Sequence, residues 1–366
     1  MLPYLIIFGI SIYAYKCAIR PVSLNVRFFC IFICILLPSL LAGIRDESLG
    51  IDWPLGYGRI IWDSAVCSQN FFDLRASFVN AEFFYVFFNY LIAHVFSDCH
   101  FFFFFHQLLL ITIATFIAFR YRKYGFSEII LLFYFLYIYN TSFNILRQSI
   151  AMMFFFGAVS LWGNNKKKGS MLCSFFAVIS HTSAIFSILY FPFLKMKFFL
   201  EEKRKLVTMV LIVISFFVVA TFSSILRSFI DMGIFSDHYD AYVNQIGEVK
   251  SHKIEIVFLL SVIGSLFVFT SQENRNEPIF TQIYFLALIA LLFQFFGNIT
   301  DVAFRVAHYF VIPIAIFLPR ISLNRLESQK VCQAFLFLLF LRFCYNVCFV
   351  NGAENTVPYT SYILGI

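Results

Sequence analysis

Residues 166–197 read KKKGSMLCSFFAVISHTSAIFSILYFPFLKMK, an apolar segment with lysines at both ends and His181-Thr182-Ser183 in its middle. The apolar part, 171–194, is long enough to cross a bilayer, which takes roughly 20 residues. Its flanks forbid a simple crossing. Lys166 to Lys168 precede it, and Lys195, Lys197, Lys203, Arg204 and Lys205 follow it, while basic residues at helix ends collect on the cytoplasmic face. Both ends therefore want the same side. The segment reads as two half-helices that meet at the polar tip and return the chain, a form tolerated at membrane depth where it is buried in protein or lines a cavity.

Outward from this stretch, apolar runs recur along all 366 residues, which are 61% hydrophobic, 21% aromatic and only 13% charged, with a mean hydropathy of +0.84. A soluble globular chain carries about 25% charged residues, so this one cannot clothe itself in a polar surface. The runs are continuous, as in IVFLLSVIGSLFVFT at 256–270. A transmembrane barrel would instead alternate in ten-residue strands. Barrel, disordered and secreted classes are excluded, and an all-α polytopic integral membrane protein is expected, with residues 1–366 forming a single transmembrane domain. MLPYLIIFGISIYAYK at the start lacks the basic leader and small-residue site of a signal peptide and reads as a retained first helix.

Apolar elements fall at about 2–18, 25–44, 82–97, 100–119, 126–143, 145–162, 171–194, 206–224, 254–271, 279–297, 303–318 and 331–350. If all crossed, Arg120, Arg122 and Lys123 would lie opposite Lys16, Arg20 and Arg27. The short run EFFYVFFNYLIAHVFS at 82–97 removes the conflict if it dips into the outer face without crossing. Ten crossings then remain, both termini are external, and 18 of the 27 basic residues are cytoplasmic against 6 of the 20 acidic ones. The external loops run from about 45 to 81 and from 225 to 253. Most of the nine cysteines sit in or beside apolar runs, where a thiol is a small core residue; Cys67 and Cys99 lie in polar segments, where one bridge is conceivable. No metal signature and no Gly-rich phosphate loop is present.

Four polar clusters interrupt the apolar pattern on the external side. The first, Gly43 to Trp53, holds Arg45 at a helix exit and Asp52 between Gly50 and Trp53-Pro54. Arg45 reads as an interfacial anchor or as an anion ligand, and Asp52 as a turn aspartate or as a general base beside an aromatic wall. The second, Asn144 to Ala151, places Arg147 between two apolar helices, where a cation needs a partner. That partner is a phosphate, which a guanidinium grips with two donors, or a carboxylate such as Asp52 or Glu82. The third is His181 at the polar tip, either a hydrogen-bonded packing residue or a catalytic one. In the fourth, Arg305 and Tyr309 are four apart and share a helix face, and Asp301 is a ready partner for Arg305. Three arginines on separate segments, with carboxylates nearby, point to an anionic lipid-linked substrate whose leaving pyrophosphate needs several donors.

At these residues the chain resembles the EpsG-like branch of the Wzy polysaccharide polymerases, integral membrane enzymes of bacterial O-antigen and exopolysaccharide assembly. The resemblance lies in Gly43-x-Arg45 with Gly50-x-Asp52-Trp53; in Glu82 opening an apolar run; in Asn144-x-x-Arg147-Gln148-x-x-Ala151; and in His181-x-Ser183-Ala184. Arg305 followed by Tyr309-Phe310, and a terminal Pro358-Tyr359, also fit. The family's usual second tyrosine, one turn after the Asp, is shifted here to Tyr57, with Gly56 in the fourth place, and Trp53 stands for a usual Tyr.

The resemblance implies a GT-C-like bundle of about 10–12 transmembrane helices with a re-entrant element and an external active-site cavity. It implies a glycosyltransferase at the periplasmic face of the bacterial inner membrane that joins oligosaccharide repeat units carried on undecaprenyl pyrophosphate. Asp52 is then the favoured base with Glu82 or His181 as substitutes, and Arg45, Arg147 and Arg305 hold the pyrophosphate. Trp53, Tyr57, Gln148 and Tyr309 meet the glycan. No cofactor, metal or nucleic acid is called for; membrane lipids, a chain-length regulator and a flippase are the expected partners. The competing class is a transporter or flippase of lipid-linked oligosaccharides, although transporters favour internal repeats and midplane sites, neither of which the sequence displays. On the two-exception topology, impermeant thiol labelling of cysteines introduced at Lys123 and Lys167 is expected to find both on the cytoplasmic face, with 225–253 and the C-terminus outside. Labelling of Lys123 and Lys167 from opposite faces overturns it.

Overall fold

Apolar runs bounded by caps and glycines become helices close to where hydropathy puts them. The computed structural model describes residues 1–54, 56–188, 253–271, 278–297, 301–320, 325–349 and 355–366, with a few isolated positions between 191 and 232. In chain order the helices are α1 (Leu2–Ala18), α2 (Leu24–Gly43), α3 (Tyr57–Cys67), α4 (Phe71–Ser77), α5 (Phe83–Ala93), α6 (Cys99–Tyr121), α7 (Glu128–Phe133), α8 (Leu146–Trp162), α9 (Lys167–Ser180), α10 (Ile185–Ile188), α11 (Lys253–Phe269), α12 (Pro278–Gly297), α13 (Asp301–Phe317) and α14 (Arg325–Cys344). No strand occurs among the described residues. Four helical stretches, Leu24–Gly43, Cys99–Tyr124, Ile279–Gly297 and Gln329–Val347, are long and apolar enough to cross a membrane, and shorter apolar helices accompany them. This all-helical, multiply apolar architecture is that of a polytopic membrane protein.

The chain divides into two compact units, Met1–Thr182 with Leu339–Ile366, and Ser183–Leu338. In the first, α2 lies along α6 and α1, α6 against α8, and α8 against α9. Ser23 caps α2 by accepting from the Val26 amide at 3.5 Å, and Asp98 caps α6 by accepting from the His100 amide at 2.9 Å. Within the phenylalanine run 101–105, Phe101 is exposed while Phe102 and Phe103 are buried. The Phe102 ring sits 5.4–6.0 Å from those of Trp53, Trp62, Tyr85, Phe88 and His106. Aromatic edge-to-face and offset contacts of this kind add to the area they bury. Phe28, Phe29 and Phe32 of α2 are exposed, as befits a surface facing lipid.

Two ends of this unit are distinct. At one, Lys16 pairs with Glu128 at 3.3 Å, Tyr15 meets Ser127 at 2.7 Å, and Asn164 donates to Tyr121 at 3.4 Å. At the other, the C-terminal segment straps across the loop that follows α2. Asp46 and Gly50 donate their amides to the Thr360 and Asn355 carbonyls at 2.9 Å each, and Tyr359 donates to the Leu41 carbonyl at 2.7 Å. Tyr4 of α1 reaches the Thr356 carbonyl at 2.9 Å. These bonds satisfy loop amides and carbonyls that an apolar setting would leave costly.

α5 has 11 residues, about 16 Å at 1.5 Å per residue, half of a roughly 30 Å hydrocarbon core. α9 stops at Ser180 and His181 is extended, at φ −161° and ψ 125°, before a single 3-10 turn over Thr182–Ala184. The expected interruption at His181 is thus present; the rest of 189–194 and the loop 225–253 fall almost wholly outside the described residues. Cys67 and Cys99 are both free thiols, so the conceivable bridge does not form. In the second unit α12 packs on α13 and α11, and α10 on α13, with Phe293 stacked on Phe310 at 5.5 Å.

Gly50 has φ +90°, and a Cβ on it would stand 2.6 Å from the Phe143 carbonyl oxygen. Gly50→Ala is therefore expected to combine backbone strain with a clash, costing about 1–3 kcal/mol. Thermal melting of the purified protein checks this against Gly125→Ala, where φ is +73° but nothing lies within 4 Å and the loss should be smaller.

Candidate functional site

The chain between α7 and α8 changes pitch twice. α7 widens into a π-helical stretch, Tyr134–Tyr139, tightens into a 3-10 turn, Thr141–Phe143, and breaks at Ile145, the residue before α8. Ile145 has no side chain to cap the helix it precedes. The cap comes from 94 positions away: Asp52 Oδ2 accepts the Leu146 amide at 3.0 Å, placing a carboxylate at the positive end of the α8 dipole. Asn144 Oδ1 accepts the Ile51 amide at 2.7 Å, so two consecutive loop residues are stitched to the start of one helix.

Tyr57 opens α3 and donates its hydroxyl to the same Asp52 Oδ2 at 2.5 Å. Burial, and after it the Asp52 charge, push the phenol well above its usual range, which keeps it a donor. Its ring meets Tyr85 edge-on at 5.7 Å and carries the Arg147 guanidinium at 3.8 Å, a cation–π stack. Arg147 is one residue into α8 and donates Nη1 to Glu82 Oε2 at 2.5 Å, while its buried Nε has no partner among the described residues. Glu82 precedes α5, and its Oε1 is 4.0 Å from His181 Nε2 at the end of α9. The Arg147 and Glu82 side chains are 19% and 12% exposed, so the pair is largely walled by protein.

Asp52, Tyr57, Glu82, Arg147 and His181 thus form one cluster assembled from five segments. Arg45 lies apart from it. It is 1% exposed, with its guanidinium between the Phe103 and Phe143 rings at 4.1 and 4.2 Å, and it donates to the Leu49 carbonyl. Burial pushes its pKa down to about 10, so it remains a cation at neutral pH. In this setting Arg45 braces the loop and presents no open face to a pyrophosphate. Trp53 is also 1% exposed; its indole donates to Glu47 at 3.2 Å, and in the core its ring stacks on Phe102 and meets Phe103 edge-on. Gln148 is buried in the first turns of α8. Arg305 and Tyr309 belong to the second unit, on α13, where Tyr309 is buried with its hydroxyl 3.3 Å from Ser183 Oγ.

Some participants carry no strong mark in the sequence. His106 is a lone histidine in an apolar run, yet its Nε2 meets the Leu146 carbonyl and Ser149 Oγ at 3.1 Å each, bracing the start of α8. Asn144 stands inside a quoted motif, but its tie to Ile51 is invisible until the two loops meet. Among the described residues, Asp98, Cys99 and His100 bring an oxygen, a sulfur and a nitrogen within 4.8 Å of one another, donor types that a transition metal accepts. The cap on α6 and the 2.7 Å contact of His100 Nδ1 with Asp98 account for that geometry without an ion, and the same hydrogen bonds outweigh partial burial to hold the Asp98 carboxyl below its usual range.

Apolar helices around an ionic cluster, at the strapped end of a helical unit, define a polytopic membrane protein with a preorganised polar site. The EpsG family profile matches residues 27–361, and the chain belongs to this family, which is one of Wzy-type polymerases. No curated protein and no solved structure matches the chain. The matched range includes every member of the cluster. Arg45→Lys keeps the charge but loses the planar stack between two rings, and a stability loss of about 1–2 kcal/mol is expected. A lower melting temperature checks it, whereas unchanged melting with lost glycan synthesis would place Arg45 in contact with substrate instead.

Proposed function

We propose that the protein polymerises oligosaccharide repeat units carried on undecaprenyl pyrophosphate, as a GT-C-like glycosyltransferase acting at the periplasmic face of the bacterial inner membrane. The observation that carries this reading is the Arg147–Glu82 pair beside Asp52 at the start of α8. A guanidinium held flat against a ring is aimed to take phosphate oxygens in a bidentate way, and two carboxylates stand next to it to take a proton. Family membership supplies the reaction class, and the asymmetric distribution of basic residues supports an external site. In this reading 82–97 and 171–194 are elements that enter the membrane without crossing.

The chemistry follows from the groups present. The anomeric carbon of the growing glycan leaves its pyrophosphate carrier and bonds to a hydroxyl of a single lipid-linked unit. Arg147 stabilises charge gathering on the departing pyrophosphate, a contribution that matters most where water is excluded. One of the two carboxylates, or His181, removes the acceptor proton. The carrier lipid is part of the substrate, and no nucleotide sugar is required. A flippase delivering the lipid-linked units and a chain-length regulator are the partners that fit. A transporter reading uses the arginine but leaves unexplained why two carboxylates and a histidine crowd one helix start.

If Arg147 acts through its fork, Arg147→Lys should fail nearly as badly as Arg147→Ala, because an ammonium is a point charge. Losing one charge-assisted contact costs about 2–3 kcal/mol, on the order of a hundredfold in rate. Glycan ladders from cells expressing the variant normally should collapse to single repeat units; full-length ladders would count against the role.

A further inference from the structure

Arg147 stands where two anions would compete for it. A phosphate is gripped best by a pair of guanidinium donors, and Glu82 already holds Nη1, while the buried Nε has no partner among the described residues. The guanidinium cannot simply swing away, since the Tyr57 ring lies 3.8 Å beneath it and Tyr57 is itself tied to Asp52. Glu82 lies at the residue before α5, outside the helix, with its second oxygen already 4.0 Å from His181 Nε2.

We propose that the diphosphate of the donor substrate displaces Glu82 from Arg147, and that the released carboxylate, turned toward His181, is the base that activates the acceptor hydroxyl. The proposal deepens the polymerase reading and rests on it. Two anions compete for one cation, and a diphosphate brings more charge and better-matched oxygens than a carboxylate. While paired, Glu82 has Oε2 engaged by Arg147; once released, that oxygen is open to the acceptor hydroxyl. Donor occupancy and base activation are thereby coupled. Asp52 is held differently, its Oδ2 accepting from both the Leu146 amide and the Tyr57 hydroxyl, neutral donors for which an incoming diphosphate does not compete. It is a positioning residue that acts through Tyr57 on Arg147.

The step balances. Glu82 takes the proton of the acceptor O–H, that oxygen forms a bond to the anomeric carbon, and the bond from this carbon to the pyrophosphate oxygen breaks. The electron pair departs with the pyrophosphate, at Arg147.

The test uses the full-length protein in lipid nanodiscs, with inorganic pyrophosphate as the binding probe and chain length of the glycan as the activity readout. Glu82→Gln keeps the size and removes the competing charge. It is expected to bind pyrophosphate at least about fivefold more tightly than the unaltered protein, the lower end of ordinary coupling between sites, while polymerisation falls by about 10² to 10⁴. Binding equal to or weaker than that of the unaltered protein overturns the displacement, and unimpaired polymerisation overturns the base assignment. Glu82→Asp keeps the acid on a shorter stem and should polymerise faster than Glu82→Gln; equal loss in the two also overturns the base assignment. Arg147→Lys separates the two levels. If the unaltered protein binds no pyrophosphate, or Arg147→Lys binds it equally well, the pyrophosphate site itself fails and the displacement with it; if Arg147→Lys abolishes binding but Glu82→Gln does not tighten it, only the displacement fails.

Discussion

A helix that begins inside protein leaves its first amides without partners, and α8 is preceded by Ile145, whose side chain offers none. The Asp52 carboxylate supplies that cap, and much else in the first unit is arranged around it. Because the cap comes from a loop more than ninety residues earlier, it fixes the loop and the helix in one register. The same oxygen takes the Tyr57 hydroxyl, so the ring on which Arg147 rests is placed by the group that starts the helix carrying Arg147. Each member of the ionic cluster is positioned through another, which is how a charged site can be held still among apolar helices.

Around this centre the structure spends polar groups on restraint. Arg45, caged by two phenylalanine rings, grips the carbonyl of Leu49, and the C-terminal segment ties down the same loop from the other side. Gly50 lets the loop pass against Phe143 where no side chain fits. The result is a short loop, 45 to 52, with little freedom at the point where Asp52 must reach α8. A floppy loop would lose the cap and the Tyr57 contact together.

The motifs of the EpsG family therefore divide by task in this protein. Gly50, Arg45, Trp53 and Tyr359 are buried or backbone-determined and build the frame. Glu82 and Arg147 are partly covered and, with the buried His181 beside them, carry the charge of the cluster. Asp52 and Tyr57 stand between the two groups, structural by their hydrogen bonds and functional by what they place. A motif residue's type alone does not tell these tasks apart: Arg45 and Arg147 are both arginines at helix ends, and what separates them is that one lies between two rings and the other is ion-paired with Glu82.

Composition alone fixes the class, because a chain with 13% charged residues has no stable arrangement in water and must place its apolar runs in lipid. The interruption at His181 and the rough positions of most apolar helices are also legible in the sequence, and Glu82 is one of the two carboxylates it offers as a partner for Arg147; α3 and α4, inside the stretch read as the external loop 45–81, are not, because their short, mixed sequences lack an apolar run. Tertiary structure alone decided the pairing. Which carboxylate meets Arg147 and which caps α8, that Tyr57 in the fifth place after Asp52 still reaches it, and that Arg45 and Trp53 turn inward all depend on distances between segments far apart in the chain. Such distances are set by packing, where Phe102, Trp53 and their neighbours fill the space between helices, and no local pattern of residues encodes them.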